Sequence, residues 1–202
     1  MTTTHFTRPR RALAVGAALA AAAIVLAGCA AATPAAAPPT LEQQVLTEHD
    51  LNGLDAAGII ERLDAMPIDE RPDDLLASVR PDELIVTDDQ DRQISVPMPA
   101  DETYLSIAPY VAQTHDCYFH SLTTCVGELR NTAVEIAVVD DATGAVLVSE
   151  SRNTFDNGFV GVWLPRGIQA TLTISAEGRS ATTAISTAKA DDATCITTMQ
   201  LS

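Results

Sequence analysis

Two thiols and two imidazoles fall within the run Thr114–Glu128: His115, Cys117, His120 and Cys125, with Tyr118 and Phe119 between them. A third thiol, Cys195, lies far along the chain in Ala193-Thr194-Cys195-Ile196-Thr197-Thr198-Met199. Thiolate is the soft ligand that selects Cu(I), zinc and iron–sulfur clusters, and imidazole suits copper and zinc. If the two segments meet in space, Cys117, Cys125, Cys195 and His120 form a clamp that exists only in the folded domain, and the expected ion is Cu(I). His115 is expected around the ligands, where it could orient them. Met199 shares a strand face with Cys195, so its thioether could reach the site, although filling the core is the simpler role for it.

Two plainer readings compete. Cys117 and Cys125 enclose a nine-residue loop, and closing it with a structural disulfide would contribute roughly 2.6 kcal/mol of chain entropy. Three Cys and one His also make a structural zinc set, although the Cys-x-x-Cys pairs usual in such sites are missing. The cysteine count favours a site that uses the thiols together. Of the four cysteines, Cys29 is expected to carry lipid. Three then remain, and disulfides alone leave an odd thiol over.

The N-terminus carries the compartment signal. Arg8, Arg10 and Arg11 precede an apolar run, Ala12–Val25, that is too short and Ala-rich for a convincing membrane span. Leu26-Ala27-Gly28-Cys29 follows as a bacterial lipobox, with residues 1–28 as signal peptide and Cys29 as the lipidated residue. A plain secretory signal cut near Ala30–Ala32 is the alternative. Residues 29–40, with Pro34, Pro38 and Pro39, read as an Ala/Pro tether. The protein is therefore expected outside the cytoplasm, anchored to the cell membrane only through its N-terminal lipid.

The formal net charge is −15, and removing the basic signal makes the remainder more acidic still. That charge excludes nucleic acid as a partner, because binding a phosphate backbone needs a basic surface. It also disfavours docking on an anionic membrane face. No catalytic constellation is visible. Gly-x-Ser-x-Gly is missing, as is the Cys-x-x-Cys of thioredoxin-like oxidoreductases. Asp69, Glu70, Asp73 and Asp74 lack the spacing and turn glycine of a calcium loop and read as a solvated face.

The positioning elements fall into two parts. Residues 41–82 read as helical. Thr40 and Gln43 fit a capping box, Asp55–Ala65 reads as a second helix ended by Pro67, and Pro72–Val79 as a short third helix with acids in its first turn. Residues 83–202 read as strands. A hairpin is expected over Leu84–Thr87 and Gln93–Val96, then an extended Thr103–Val111 at an edge or bulge because of Pro109. Strands follow over Val134–Val139, Ala145–Ser149, Phe159–Leu164, Gln169–Ala176, Ser180–Ser186 and Cys195–Leu201, separated by turns such as Asp156-Asn157-Gly158. The expected fold is mainly β (α+β), a short helical region followed by an antiparallel β-sandwich. The rhythm of Val138–Gly167 resembles the prealbumin-like sandwich of carboxypeptidase-regulatory-like domains, which bears on fold alone.

The runs THDCYFHSLTTCVGEL and DATCITTMQL, with DLLASVRPDELIVTD upstream, resemble the CueP family of extracytoplasmic copper-binding, copper-resistance proteins. The resemblance spans about Leu41–Ser202. It implies copper ligation by Cys117, Cys125 and Cys195, storage of copper outside the cytoplasm and its passage to a recipient cuproprotein, and often a homodimer. It also implies thiol-linked reduction of Cu(II). The leading expectation is a lipoprotein that sequesters and relays Cu(I). A thiol-dependent Cu(II) or Fe(III) reductase and a disulfide-stapled structural module are the alternatives.

Overall fold

A computed structural model describes residues 1–2 and 37–202 of the chain. Residues 3–36, and with them most of the signal segment, Cys29 and the start of the tether, lie outside the described residues. The first helix, α1 (Leu41–Glu48), opens on the expected capping box: the Thr40 hydroxyl accepts from Gln43 N at 3.2 Å and the Gln43 side chain accepts from Thr40 N at 3.0 Å. Asp55 caps α2 (Ala56–Asp64) by accepting from Gly58 N. Ile59, Ile60 and Leu63 of α2 are buried, and so is Asp64 in its last turn. Pro67 stops the helix, and a single 3-10 turn, Ile68–Glu70, follows.

The third helix expected over Pro72–Val79 is instead a strand, β1 (Leu75–Val79), paired antiparallel with β2 (Glu83–Asp88). Pro72, Asp73 and Asp74 do form a helix-start signal. The residues after them, however, bury Leu75, Ala77 and Val79 in alternation, the period of a strand, and the residue before Pro81 is biased away from helix. The hairpin partner β3 (Gln93–Pro97) completes a three-stranded sheet in the order β1-β2-β3. This sheet and the two helices enclose a first core that includes Val45, Ile59, Ile60, Leu84 and Val86.

The longest strand, β4 (Glu102–Tyr110), runs through the middle of the protein. Its burial is nearly continuous because both faces are covered: Tyr104 joins the first core, Leu105 and Ile107 a second. The remaining strands are β5 (Ala133–Asp140), β6 (Val146–Asn153), β7 (Val160–Pro165), β8 (Gln169–Ala176), β9 (Arg179–Ser186) and β10 (Cys195–Gln200). They form a sheet β10-β4-β7 and a sheet β6-β5-β8-β9. Val160, Val162 and Leu164 of the first face Val134, Ile136, Val138, Leu172 and Ile174 of the second across one core, which makes the expected sandwich. Pairing is antiparallel throughout except between β10 and β4, which run parallel. β4 is interior over Glu102–Ile107, where β7 pairs with it, but at Pro109 the only paired neighbour is β10, so the proline falls where β4 is an edge. The bulge expected with it is present on its neighbour: the β10 register shifts between Ile196 and Met199, and Met199 sits opposite Pro109. A proline has no N–H for the ladder, so the irregularity falls where a regular pair would lack a donor.

Among the described residues no helix is long and apolar enough to cross a membrane.

A candidate metal centre

The segment between β4 and β5 carries Cys117, His120 and Cys125, and the first residue of β10 is Cys195. The exposed edge of β1 docks this segment. Val79 N donates to His120 O and Leu122 N to Ala77 O, each at 2.8 Å, around an isolated bridge between Ser78 and Ser121. The strand that replaces the expected third helix is therefore what holds His120 in place. Thr194 adds a second set of bonds: its hydroxyl donates to Val79 O at 2.7 Å and accepts from His120 N at 3.0 Å. Cys195 N donates to Tyr118 O at 3.1 Å, and β10 is stitched to β4 by Ser106 N donating to Thr194 O.

The loop's far end is fixed by close backbone contact. Gly127 N donates to Asn157 O at 2.7 Å. A Cβ on Gly127 would lie 2.7 Å from Gly158 O, and Gly158 itself has φ +79°. Neither position tolerates a side chain. The Glu128 carboxylate accepts from the backbone N–H groups of Val111, Ala112 and Gln113, which pins the start of the loop that carries Cys117.

These constraints bring four ligand atoms, from Cys117, His120, Cys125 and Cys195, within 4.8 Å of one another. The Cys117 and Cys125 sulfurs are 3.5 Å apart, and Cys195 Sγ is 3.7 Å from His120 Nδ1. A metal about 2.3 Å from each sulfur would space three sulfurs by about 4 Å, so the set fits an ion with small adjustments. All three thiols are free; the disulfide weighed for Cys117–Cys125 is not formed. Cys195, Cys125 and His120 are buried, and Cys117 is half-exposed.

His120 is held from behind. Its Nε2 lies 3.0 Å from Asp64 Oδ1, and its ring packs on Phe159 with centroids 4.5 Å apart. Since a carboxylate only accepts, a ring proton belongs on Nε2, which turns Nδ1 to the thiol side, where a metal would take the place of the Nδ1 proton that the imidazolium carries. Asp64 is completely buried. It accepts from Tyr104 Oη at 2.7 Å, Ser106 Oγ at 3.0 Å and Asn157 Nδ2 at 2.8 Å as well as from His120. Burial alone would raise its carboxyl pKa, but the His120 charge and these donors outweigh it and hold the group below its ordinary value. For His120 burial opposes the charge, and the neighbouring Asp64 carboxylate overrides it and lifts the pKa well above the usual imidazole range. Within the thiol cluster, hydrogen bonds from Cys117 and Cys195 favour the Cys125 thiolate. Cys195, beside Cys117 and Cys125 and buried, is pushed up. The cluster thus supports the Cys125 thiolate and disfavours charge on Cys195.

The other expected residues fall around this centre. His115 is outside the four-residue ligand set, half-buried, with its ring 6.1 Å from Phe159. Met199 packs in the sandwich core with Leu105 and Ile107, whereas Cys195 packs with Ala108, Cys125 and Phe159. Tyr118 is 57% exposed and leans on Phe119, over whose ring the Arg80 guanidinium lies at 4.0 Å. The aromatic side chain that covers the site is Phe159. Asp64, Tyr104, Ser106, Asn157, Phe159 and Thr194 escaped the sequence reading. One signal was available for Asp64: an acid on the apolar face of α2, in the last turn, where the helix dipole disfavours it.

The family model described as periplasmic copper-binding protein CueP matches residues 58–200. A solved structure, described as the crystal structure of S.CueP, is 37% identical, covers 82% of this chain and 100% of its own, and superposes with a TM-score of 0.76. No curated protein matches the chain at a significant level. With the family matched over most of its length and a candidate thiol–imidazole centre inside the matched region, the chain belongs to the CueP family of periplasmic copper-binding proteins.

Proposed function

We propose that this protein sequesters copper as Cu(I) on Cys117, Cys125 and Cys195, with His120 as a nitrogen ligand, and relays it to a recipient cuproprotein from a lipid anchor at Cys29. The observation that carries this reading is the convergence of four soft ligand atoms within 4.8 Å, three of the residues buried and Cys117 half-exposed. Soft thiolates select Cu(I) over harder ions. A buried site with one ligand near solvent suits exchange of the ion through Cys117. The test is anaerobic titration of reduced Ala30–Ser202 with Cu(I) against a chromogenic chelator. Tight uptake of a single ion, lost on Cys→Ser change at 117, 125 or 195, is expected; an uptake indifferent to all three changes would refute it. Incorporation of labelled fatty acid into the full chain, abolished by Cys29→Ala, tests the anchor. Sedimentation of the reduced and copper-loaded protein tests the homodimer.

The 3.5 Å between the Cys117 and Cys125 sulfurs favours a second reading, thiol-driven reduction. Two Cu(II) would become two Cu(I) as the two thiols close a disulfide and release two protons. Sustained turnover with an added thiol donor would establish it, and a single stoichiometric burst would confine the protein to binding.

A further inference from the structure

We infer that Arg71 is a specificity-determining residue for this centre, favouring a univalent over a divalent ion; the inference rests on the copper-site reading above. Arg71 follows the 3-10 turn, and Asp156 fixes that turn by accepting from Ile68 N at 3.0 Å. Its Nη1 donates to the backbone oxygen of Cys125 at 2.9 Å. Its Nε and Nη2 are buried and make no hydrogen bond among the described residues. A guanidinium rarely gives up two donors to the interior without an anion in reach. Burial works against the Arg71 charge, and the charges of Asp64, Cys125 and Asp156 support it. Of these three residues, Cys125 is the one that Arg71 already touches, through its backbone oxygen. The Asp64 oxygens hold His120, Tyr104, Ser106 and Asn157, and those of Asp156 hold Ile68 N, Arg130 and Asn131.

The charge count sets the direction. Three thiolates around Cu(I) leave a centre of −2, and the same three around Zn(II) leave −1. The free ligands are the same for both ions, so the two bound centres differ by one charge, and a fixed positive charge stabilises the Cu(I) centre by one charge interaction more than the Zn(II) centre. Arg71 therefore does for the ion's charge what the sulfurs do for its softness. Neutralising it should weaken Cu(I) binding by a larger factor than Zn(II) binding.

The test uses residues 30–202, the chain beyond the lipidated Cys29, reduced, with Arg71→Gln, Arg71→Met and Arg71→Lys. Cu(I) and Zn(II) affinities are read by chelator competition, with apo stability by urea unfolding. Expected is a Cu(I)-over-Zn(II) affinity ratio lowered about three-fold or more in the two neutral variants, with Arg71→Lys close to wild type. Equal losses for the two ions, or no loss, would overturn the inference while leaving the copper site standing. Neutral variants that do not fold would overturn it too, in favour of a purely structural arginine. Absence of Cu(I) uptake by the wild-type protein would instead remove the site reading on which it rests.

Discussion

Asp64→Ala is the perturbation that most directly examines how His120 is held. The change removes the acceptor for four side-chain donors, from His120, Tyr104, Ser106 and Asn157. All are buried, so water cannot replace the lost partner freely. A hydrogen bond to a charged group contributes about 1.5–3 kcal/mol, and a stranded buried donor costs about 1–3 kcal/mol. Those contributions are not additive in one network, and breaking one partner of a buried pair costs about 3–5 kcal/mol in practice. We expect a loss in that range for the reduced apo protein. Asp64→Asn is milder, because the Tyr104 and Ser106 hydroxyls can rotate to accept from the new amide. Asp64→Ala frees the His120 ring, and loss of such an orienting group lowers metal affinity by about 10–100-fold; Asp64→Asn keeps Oδ1 on the ring and should lower it less. Urea unfolding gives the stability and chelator competition the affinity. A loss under about 1 kcal/mol for Asp64→Ala, together with unchanged Cu(I) affinity, would show that the buried carboxylate neither supports the fold nor orients the ligand.

Three further outcomes follow from the same geometry. A Cβ on Gly161 would lie 1.6 Å from Tyr104 Oη, so Gly161→Ala should displace Tyr104 from Asp64 and cost about 1–3 kcal/mol, with a less-than-additive effect when combined with Asp64→Ala in unfolding experiments. The pH dependence of apo stability has two sides: Asp64, below its ordinary 3.8, supports the fold above that value and loses this support as pH falls, while His120, above its ordinary 6.5, supports it fully below 6.5 and loses this as pH rises. Stability measured across pH should therefore peak between these limits and flatten in Asp64→Asn. The Asp156 carboxyl is pushed down to about 2 by Ile68 N, Arg130 and Asn131, so Asp156→Asn should remove part of the acid sensitivity between about pH 4 and pH 2 and increase proteolysis around the Ile68–Glu70 turn.

Much of this molecule is legible locally. Thr40 with Gln43, and Asp55 before an apolar helix face, mark the two helix starts because caps depend on neighbours a few residues away. Strand alternation and turns such as Asp156-Asn157-Gly158 mark β5 to β9, since a half-buried strand carries its period in its own residues. The soft-ligand set is legible too, because thiols and imidazoles advertise their chemistry without reference to the fold.

Other features exist only in three dimensions. Leu75–Val79 has a helix-start signal before it and becomes a strand, because β2 offers a ladder edge that local propensity does not see. β4 is interior although it carries Pro109, because its pairing with β7 ends at Ile107 and the bulge opposite the proline sits on a strand from the other end of the domain. The residue types alone name the soft ligands and the local elements that carry them. Long-range packing places Asp64, from a helix, behind His120, sets Phe159 against the centre, and brings Arg71 to the backbone oxygen of Cys125. Each of those contacts joins segments far apart in the chain, and packing against a shared core chooses such partners where periodicity cannot.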